Sequence, residues 1–76
     1  MAEKTLDATG LSCPLPVLKA RKTLQSMTDG QTLEVLATDP GAVEDFAMFC
    51  ESAGHTLLES ETLEGTRYRF VIRNKS

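Results

Sequence analysis

Two apolar stretches with helical spacing, each introduced by a proline and followed by a glycine, most constrain how this chain can fold. The first covers about residues 14–27, and the second covers about residues 41–53 behind the pair Asp39-Pro40. Proline is favoured at the first position of a helix because its missing N–H would have no partner there. Aspartate is a preferred helix cap, and glycine commonly ends a helix. The sequence therefore predicts two helices that begin and end at these residues.

Each predicted helix has one apolar stripe that should face a core. The stripes are Val17, Ala20, Leu24 and Met27 in the first helix, and Val43, Phe46, Ala47, Cys50 and Ala53 in the second. Strands are predicted at about residues 5–8, 32–38, 56–60 and 67–73, because these stretches are rich in β-forming residues or alternate apolar and polar side chains. The last strand should place its aromatic and aliphatic residues inward and its arginines toward water or a partner.

The resulting order, βαβαββ, predicts an α/β (α+β) two-layer sandwich, a four-stranded mixed sheet with both helices on one face. The 76 residues form one small domain, residues 1–76, with no linker or repeat. A chain this short has little room for a deep substrate cleft. Any reactive group is therefore expected near the surface, or in a site that a partner completes.

Cys13 is predicted to be a reactive sulfur. It precedes Pro14, at the start of the first helix, where unpaired amides and the helix dipole stabilise negative charge. Pro14 and Pro16 donate no N–H, so the amides of Cys13, Leu15 and Val17 remain to face an anion. A helix N-terminus lowers the pKa of a cysteine, and the thiolate is the nucleophilic form. This position therefore predicts an accessible thiolate.

The second cysteine and the single histidine are predicted to be structural. Cys50 belongs to the apolar stripe of the second helix and is interpreted as a buried core thiol. His55 follows that helix and is interpreted as a surface or strand-edge residue. The separation of the cysteines matches no zinc spacing, and no phosphate loop or paired-carboxylate motif is present. No metal, cofactor or self-sufficient catalytic centre is expected.

The net charge of -3 argues against a nucleic-acid binder that works by bulk charge. Basic residues nevertheless cluster after Cys13 (Lys19, Arg21, Lys22) and near the C-terminus (Arg67, Arg69, Arg73, Lys75). No apolar run approaches the ~20 residues of a membrane span, and the first residues do not have the pattern of a signal peptide. We therefore expect a cytoplasmic protein with free thiols that binds neither a membrane nor nucleic acid directly.

Several stretches together resemble the TusA (SirA-like) family of sulfur carrier proteins. They are LDA at 6–8, GLSCPLPV at 10–17, RK at 21–22 and TDP at 38–40, and the resemblance extends to about Arg73. It implies the βαβαββ sandwich and a sulfurtransferase-type carrier in which Cys13 accepts sulfane sulfur as a persulfide. Within that motif Pro14 and Pro16 support the cysteine, while Arg21 and Asp39 match positions associated with partner contact.

The resemblance also implies the partners. The sulfur donor would be a pyridoxal-phosphate-dependent cysteine desulfurase or a rhodanese, and a downstream acceptor protein would take the sulfur from a carrier that is a monomer when free. The implied pathways are tRNA 2-thiouridine synthesis, molybdenum cofactor synthesis and oxidative sulfur metabolism. Leu15 departs from the glutamate often found between the two prolines in the tRNA-thiolation branch.

Two other interpretations of the residues stay open. The chain could be a non-catalytic regulatory or interaction module of the same fold, in which Cys13-Pro14 only starts a helix and the basic strand face binds a partner. It could also be a thiol redox switch in which Cys13 forms a mixed disulfide.

Overall fold

The computed structural model describes residues 2–75 as two helices and one four-stranded sheet. The strands are β1 (Lys4–Ala8), β2 (Thr32–Ala37), β3 (Thr56–Thr62) and β4 (Tyr68–Arg73), and the helices are α1 (Leu15–Gln25) and α2 (Ala42–Ala53). The spatial order of the strands is β1-β2-β4-β3. The predicted order of elements and the mixed sheet are confirmed.

The chain direction of the strands explains why both helices pack on one face. β1 pairs parallel with β2, while β2 and β3 both pair antiparallel with β4. β2 and β3 therefore run parallel to each other, so α1 and α2 each lie in a connection between parallel strands. Such connections are almost always right-handed, which places both helices on the same side of the sheet.

The inward face of the two central strands supplies most of the core. Its fully buried side chains are Leu33, Val35 and Ala37 of β2, and Phe70 and Ile72 of β4. Phe46 of α2 stacks on Phe70 with 4.6 Å between ring centroids. The period-2 alternation predicted for β2 and β4 is confirmed.

The helices bury stripes that differ partly from the prediction. α1 buries Ala20 and Leu24 as expected. In α2, Phe46 and Cys50 are buried as predicted, and Ala42 joins them. Val43, Ala47 and Ala53 are exposed, so the prediction is wrong for these three. Neighbouring residues of a helix point about 100° apart, and α2 packs on the line of residues 42, 46 and 50 instead.

The outward face of the sheet is not the open basic surface predicted for β4. The guanidinium group of Arg69 donates hydrogen bonds to the carboxylates of Glu34 in β2 and of Glu59 and Glu61 in β3. The two strands that flank β4 bring these carboxylates beside the guanidinium group, which sequence neighbours alone do not reveal. The prediction of a free basic face is therefore wrong at Arg69, while Arg67 and Arg73 are exposed.

Candidate functional site

The site forms where two loops meet at one edge of the sheet. Because β1 and β2 are parallel neighbours, the loops that leave their carboxyl ends lie side by side. The Gly10 N–H donates a hydrogen bond of 2.9 Å to Thr38 Oγ1 and ties the first loop to the second. Cys13, at the end of the first loop, therefore faces the beginning of α2.

Cys13 is exposed, as predicted, but it lies one residue further from the first helical residue than the sequence predicted. α1 begins at Leu15 with Pro14 as its N-cap, so the prediction of Pro14 as the first helical residue is wrong by one position. The Cys13–Pro14 peptide bond is cis, and Pro16 lies in the first helical turn. The Leu15 N–H donates to the Ser12 carbonyl oxygen at 2.9 Å. That amide is therefore occupied and does not face the sulfur.

Asp39 joins the two loops through its side chain. Its carboxylate accepts the N–H of Cys13 at 2.5 Å and the N–H of Gly41 at 3.3 Å. The Cys13 N–H therefore donates to Asp39, whereas the sequence predicted that this N–H would stabilise the anionic sulfur. The second helix begins at Ala42 with Gly41 as its N-cap, so the prediction that Pro40 is its first residue is wrong.

The start of α2 lies directly against the reactive residue. A Cβ atom added at Gly41 would stand 3.6 Å from the Cβ of Cys13. One turn further, a carboxylate oxygen of Asp45 accepts a hydrogen bond from the Cys13 Sγ. Sequence reasoning missed Asp45. The signal that could have found it is an acid in the first turn of a helix that follows a strand parallel to β1.

These carboxylates reverse the expected electrostatics of the thiol. The hydrogen bond to Asp45, loss of solvation and the negative charges of Asp45 and Asp39 together raise the pKa of Cys13 to about 11. The prediction that this position lowers the pKa of Cys13 is therefore wrong. The amides of Cys13 and Leu15 are occupied, and the nearby charges have the sign that disfavours a thiolate. The environment of Cys13 therefore favours the protonated thiol over the thiolate.

The second cysteine, Cys50, and the histidine, His55, both lie away from Cys13. Cys50 is only 3% exposed and belongs to the core, which confirms its prediction as a buried thiol, and burial raises its pKa to about 11. His55 follows the C-terminal end of α2, roughly 18 Å along the helix from its start at ~1.5 Å per residue. Its Nδ1 accepts the Lys75 N–H at 3.0 Å. His55 is therefore not placed to act as a base for Cys13.

Arg21 is not drawn into the cluster of Cys13 with the two aspartates. It is exposed in the second half of α1 and lines an open cavity of about 360 Å³ between the two helices, together with Phe49 and His55. Nearer the sulfur, Leu15 and Leu18 of α1 are 45% and 50% exposed. An apolar surface therefore borders Cys13, and a cationic side chain stands further along the same helix.

Residues 2–75 contain neither a metal-binding cluster nor a membrane-spanning helix. No group of three or more histidine, cysteine, aspartate or glutamate side chains there could hold a metal ion. None of the helices in this part of the chain has the length and apolar character needed to cross a membrane.

The fold has a close counterpart among solved structures. The crystal structure of a SirA-like protein from Desulfitobacterium hafniense superposes with a TM-score of 0.82 and covers 96% of this chain and 99% of that chain. Its sequence identity is 24%, so this likeness defines the fold alone. The class of protein is thus a SirA-like two-layer sandwich with one exposed cysteine at a loop-to-helix junction.

Sequence comparisons define the family. The family model described as Sulfurtransferase TusA matches residues 4–74. The sulfur carrier protein TusA of Allochromatium vinosum is 51% identical over 71 residues, which is 93% of this chain and 92% of that protein. Two putative sulfur carrier proteins of Neisseria meningitidis, from serogroups A and B, are each 48% identical over 75 residues, covering 99% of this chain and 100% of theirs. The chain belongs to the TusA family of sulfur carrier proteins.

Proposed function

We propose that this protein carries sulfane sulfur as a persulfide on Cys13, receiving it from a donor protein and passing it to an acceptor protein. The observation that carries the proposal is the exposed Cys13 in the CPLP motif of a TusA-family chain. The other cysteine, Cys50, is enclosed in the core, so it is not accessible for transfer without local opening.

The transfer needs no net oxidation. The Cys13 thiolate attacks the outer sulfur of a donor persulfide, a Cys13–sulfur bond forms, and the donor's sulfur–sulfur bond breaks. The donor cysteine leaves as a thiolate and takes up the proton that Cys13 released. An acceptor thiolate then attacks the outer sulfur on Cys13 and regenerates the Cys13 thiolate. The same exposed sulfur serves both half-reactions, which suits a carrier that docks on successive partners.

The surface around Cys13 supports docking by partners. Leu15 and Leu18 expose apolar area beside the sulfur, and Pro14 and Pro16 limit the flexibility of the segment that presents it. Arg21 offers a cation further along α1, which suits an acidic partner surface. Because Cys13 is exposed, a docked partner can supply the remainder of the active site.

A cysteine desulfurase or a rhodanese is proposed as the donor, and the site of action is proposed to be the cytoplasm. Leu15 stands where the tRNA-thiolation branch often has a glutamate, and it leaves an exposed apolar side chain at that position. Oxidative sulfur metabolism is therefore proposed alongside tRNA 2-thiouridine and molybdenum cofactor synthesis as the destination of the sulfur.

The experiment that tests the proposal is a loading assay read by intact mass. The protein is incubated with a cysteine desulfurase and cysteine, or with a rhodanese and thiosulfate. We expect a mass increase of one sulfur atom that Cys13→Ser abolishes and Cys50→Ser retains. Failure of both donors to add sulfur to the wild type would contradict the proposal.

The raised pKa of Cys13 favours one alternative, a non-catalytic interaction module. In that case the Cys13–Asp45 contact would serve only to fix the two loops. Capture of the same partner with equal affinity by wild type and by Cys13→Ser, with no sulfur adduct from either donor, would support this alternative.

A further inference from the structure

The contact between Cys13 and Asp45 sets the chemical state of the sulfur. Two helices begin beside Cys13, and a helix start ordinarily favours an anion. Here three nearby amides are occupied, since Asp39 accepts the N–H groups of Cys13 and Gly41 and the Ser12 carbonyl accepts that of Leu15. The side-chain S–H of Cys13 donates to Asp45. A thiolate at this place would lose that hydrogen bond and face a carboxylate.

We propose that Asp45 is a positioning residue that holds the Cys13 sulfur as a protonated thiol in the free protein and so keeps it slow to react until a partner binds. Its consequence for sulfur transfer rests on the proposed function, but the hydrogen bond and its effect on the thiol do not. A Cys13 that is a thiol while no partner is bound would react slowly with small electrophiles and oxidants, because the thiolate is the nucleophilic form.

The charged groups that act on Cys13 come from two elements and have the same sign. Asp45 reaches it from the first turn of α2, and Asp39 reaches it from the loop between β2 and α2. Asp39 already accepts two backbone N–H groups, so its carboxylate is compensated in part. Asp45 is the group that accepts the S–H itself, and its hydrogen bond is the largest single cause of the raised pKa.

The neighbouring residue Glu44 provides a matched control. Glu44 and Asp45 are consecutive acids in the first turn of α2, so each interacts with the same helix dipole. Glu44 is exposed, whereas Asp45 is half-buried against Cys13. Asp45→Asn and Glu44→Gln each remove one negative charge from the same turn, but only the first removes the acceptor of the Cys13 thiol.

The test measures the rate at which iodoacetamide alkylates Cys13 from about pH 7 to about pH 9.5, with the modified residue identified by peptide mass. The wild-type rate should rise about tenfold per pH unit without levelling off, because the pKa of Cys13 lies above this range. Asp45→Asn should begin to level off within the range. At about pH 8 it should react at least about threefold faster, since more thiolate outweighs its lower intrinsic nucleophilicity. Glu44→Gln should follow the wild type.

Two results would overturn the inference. A wild-type rate that reaches a plateau below about pH 9 would show that the thiol is not held protonated, and this arm needs no variant. Superimposable profiles for wild type and Asp45→Asn, with both proteins folded by circular dichroism, would show that Asp45 does not act on the sulfur. If Asp45→Asn does not fold, Asp45→Ser replaces it with the same expectation. A shifted profile in a protein that no donor loads would uphold this inference and contradict only the proposed function.

Discussion

The thiol of Cys13 donates a hydrogen bond to Asp45, a carboxylate 32 positions later in the chain. The contact arises because β1 and β2 are parallel neighbours, so the loops leading into α1 and α2 leave the sheet at the same edge. The cysteine motif supplies the sulfur, and the start of the second helix determines its protonation. The site is therefore composed of two loops, and neither would suffice without the other.

Asp39 is expected to act on stability through its acceptor oxygens. Asp39→Ala leaves the N–H groups of Cys13 and Gly41 without their partner and should lower the free energy of unfolding by about 1 kcal/mol. The two N–H groups bind different carboxylate oxygens, so Asp39→Asn keeps one of the two hydrogen bonds and should lose about half of that. Urea denaturation of both variants measures the difference. Equal losses in the two would show that the charge matters and the acceptor does not.

Replacement by serine should lower the free energy of unfolding much more at Cys50 than at Cys13. Cys50→Ser buries a hydroxyl among core side chains and should lower the free energy of unfolding by about 1–3 kcal/mol. Cys13→Ser changes an exposed residue and should cost little. Urea denaturation provides the comparison. Small and equal losses at both sites would contradict the placement of Cys50 in the core.

Asn74 should be important for stability although it lies near the end of the chain. Its side chain is 4% exposed, and its amide nitrogen donates to the carbonyl oxygens of Met27 and Thr28 at 3.0 and 3.1 Å. Asn74→Ala removes both bonds and should lower the free energy of unfolding by about 1–3 kcal/mol. Lys75→Ala, at the exposed neighbouring position, is the control and should change little. A loss at Asn74 no larger than at Lys75 would contradict this role.

Glu34 should make stability depend on pH in the acid range. The hydrogen bond from Arg69 holds the pKa of the Glu34 carboxyl below its ordinary value of 4.5. A lowered pKa in the folded state means that the contribution is complete above that ordinary value and is lost as the pH falls through the lowered one. The free energy of unfolding of wild type minus that of Glu34→Gln should therefore rise as the pH increases from about 3 to about 6.

Glu51→Gln is the control for this titration, because Glu51 is an exposed residue of α2. Its difference from the wild type should show a smaller dependence on pH than that of Glu34→Gln. Urea denaturation across the pH range measures both. A difference at Glu34 that does not vary with pH would contradict the pairing with Arg69.

Much of the fold follows from local patterns in the sequence. The alternation in β2 and β4 fixed which side chains enter the core, and the proline and glycine positions located both helices to within about two residues. The buried stripe of α2 was predicted correctly at Phe46 and Cys50, but periodicity favoured Val43 where Ala42 is buried, because both residues are apolar. Which of two adjacent apolar residues faces inward depends on how the helix packs on the sheet, and periodicity alone does not decide it.

The site was predictable in part for the same reason. The exposed position of Cys13 follows from its local sequence, but its electrostatics depend on Asp45, which belongs to a distant element. Two of the three amides expected to stabilise a thiolate, those of Leu15 and Cys13, instead donate to Ser12 and Asp39. Such competition between acceptors is a property of the folded arrangement. Sequence position therefore identified the sulfur and gave the wrong sign for the shift of its pKa.

If Cys13 carries transferable sulfur, tandem mass spectrometry should locate the added sulfur atom on this residue. Wild type loaded by a cysteine desulfurase or a rhodanese is separated from the donor and digested without reductant after alkylation. We expect one added sulfur atom on the peptide that contains Cys13, none on the peptide that contains Cys50, and no adduct in Cys13→Ser. An unmodified Cys13 peptide with both donors, or an equal adduct in Cys13→Ser, would contradict this role of Cys13.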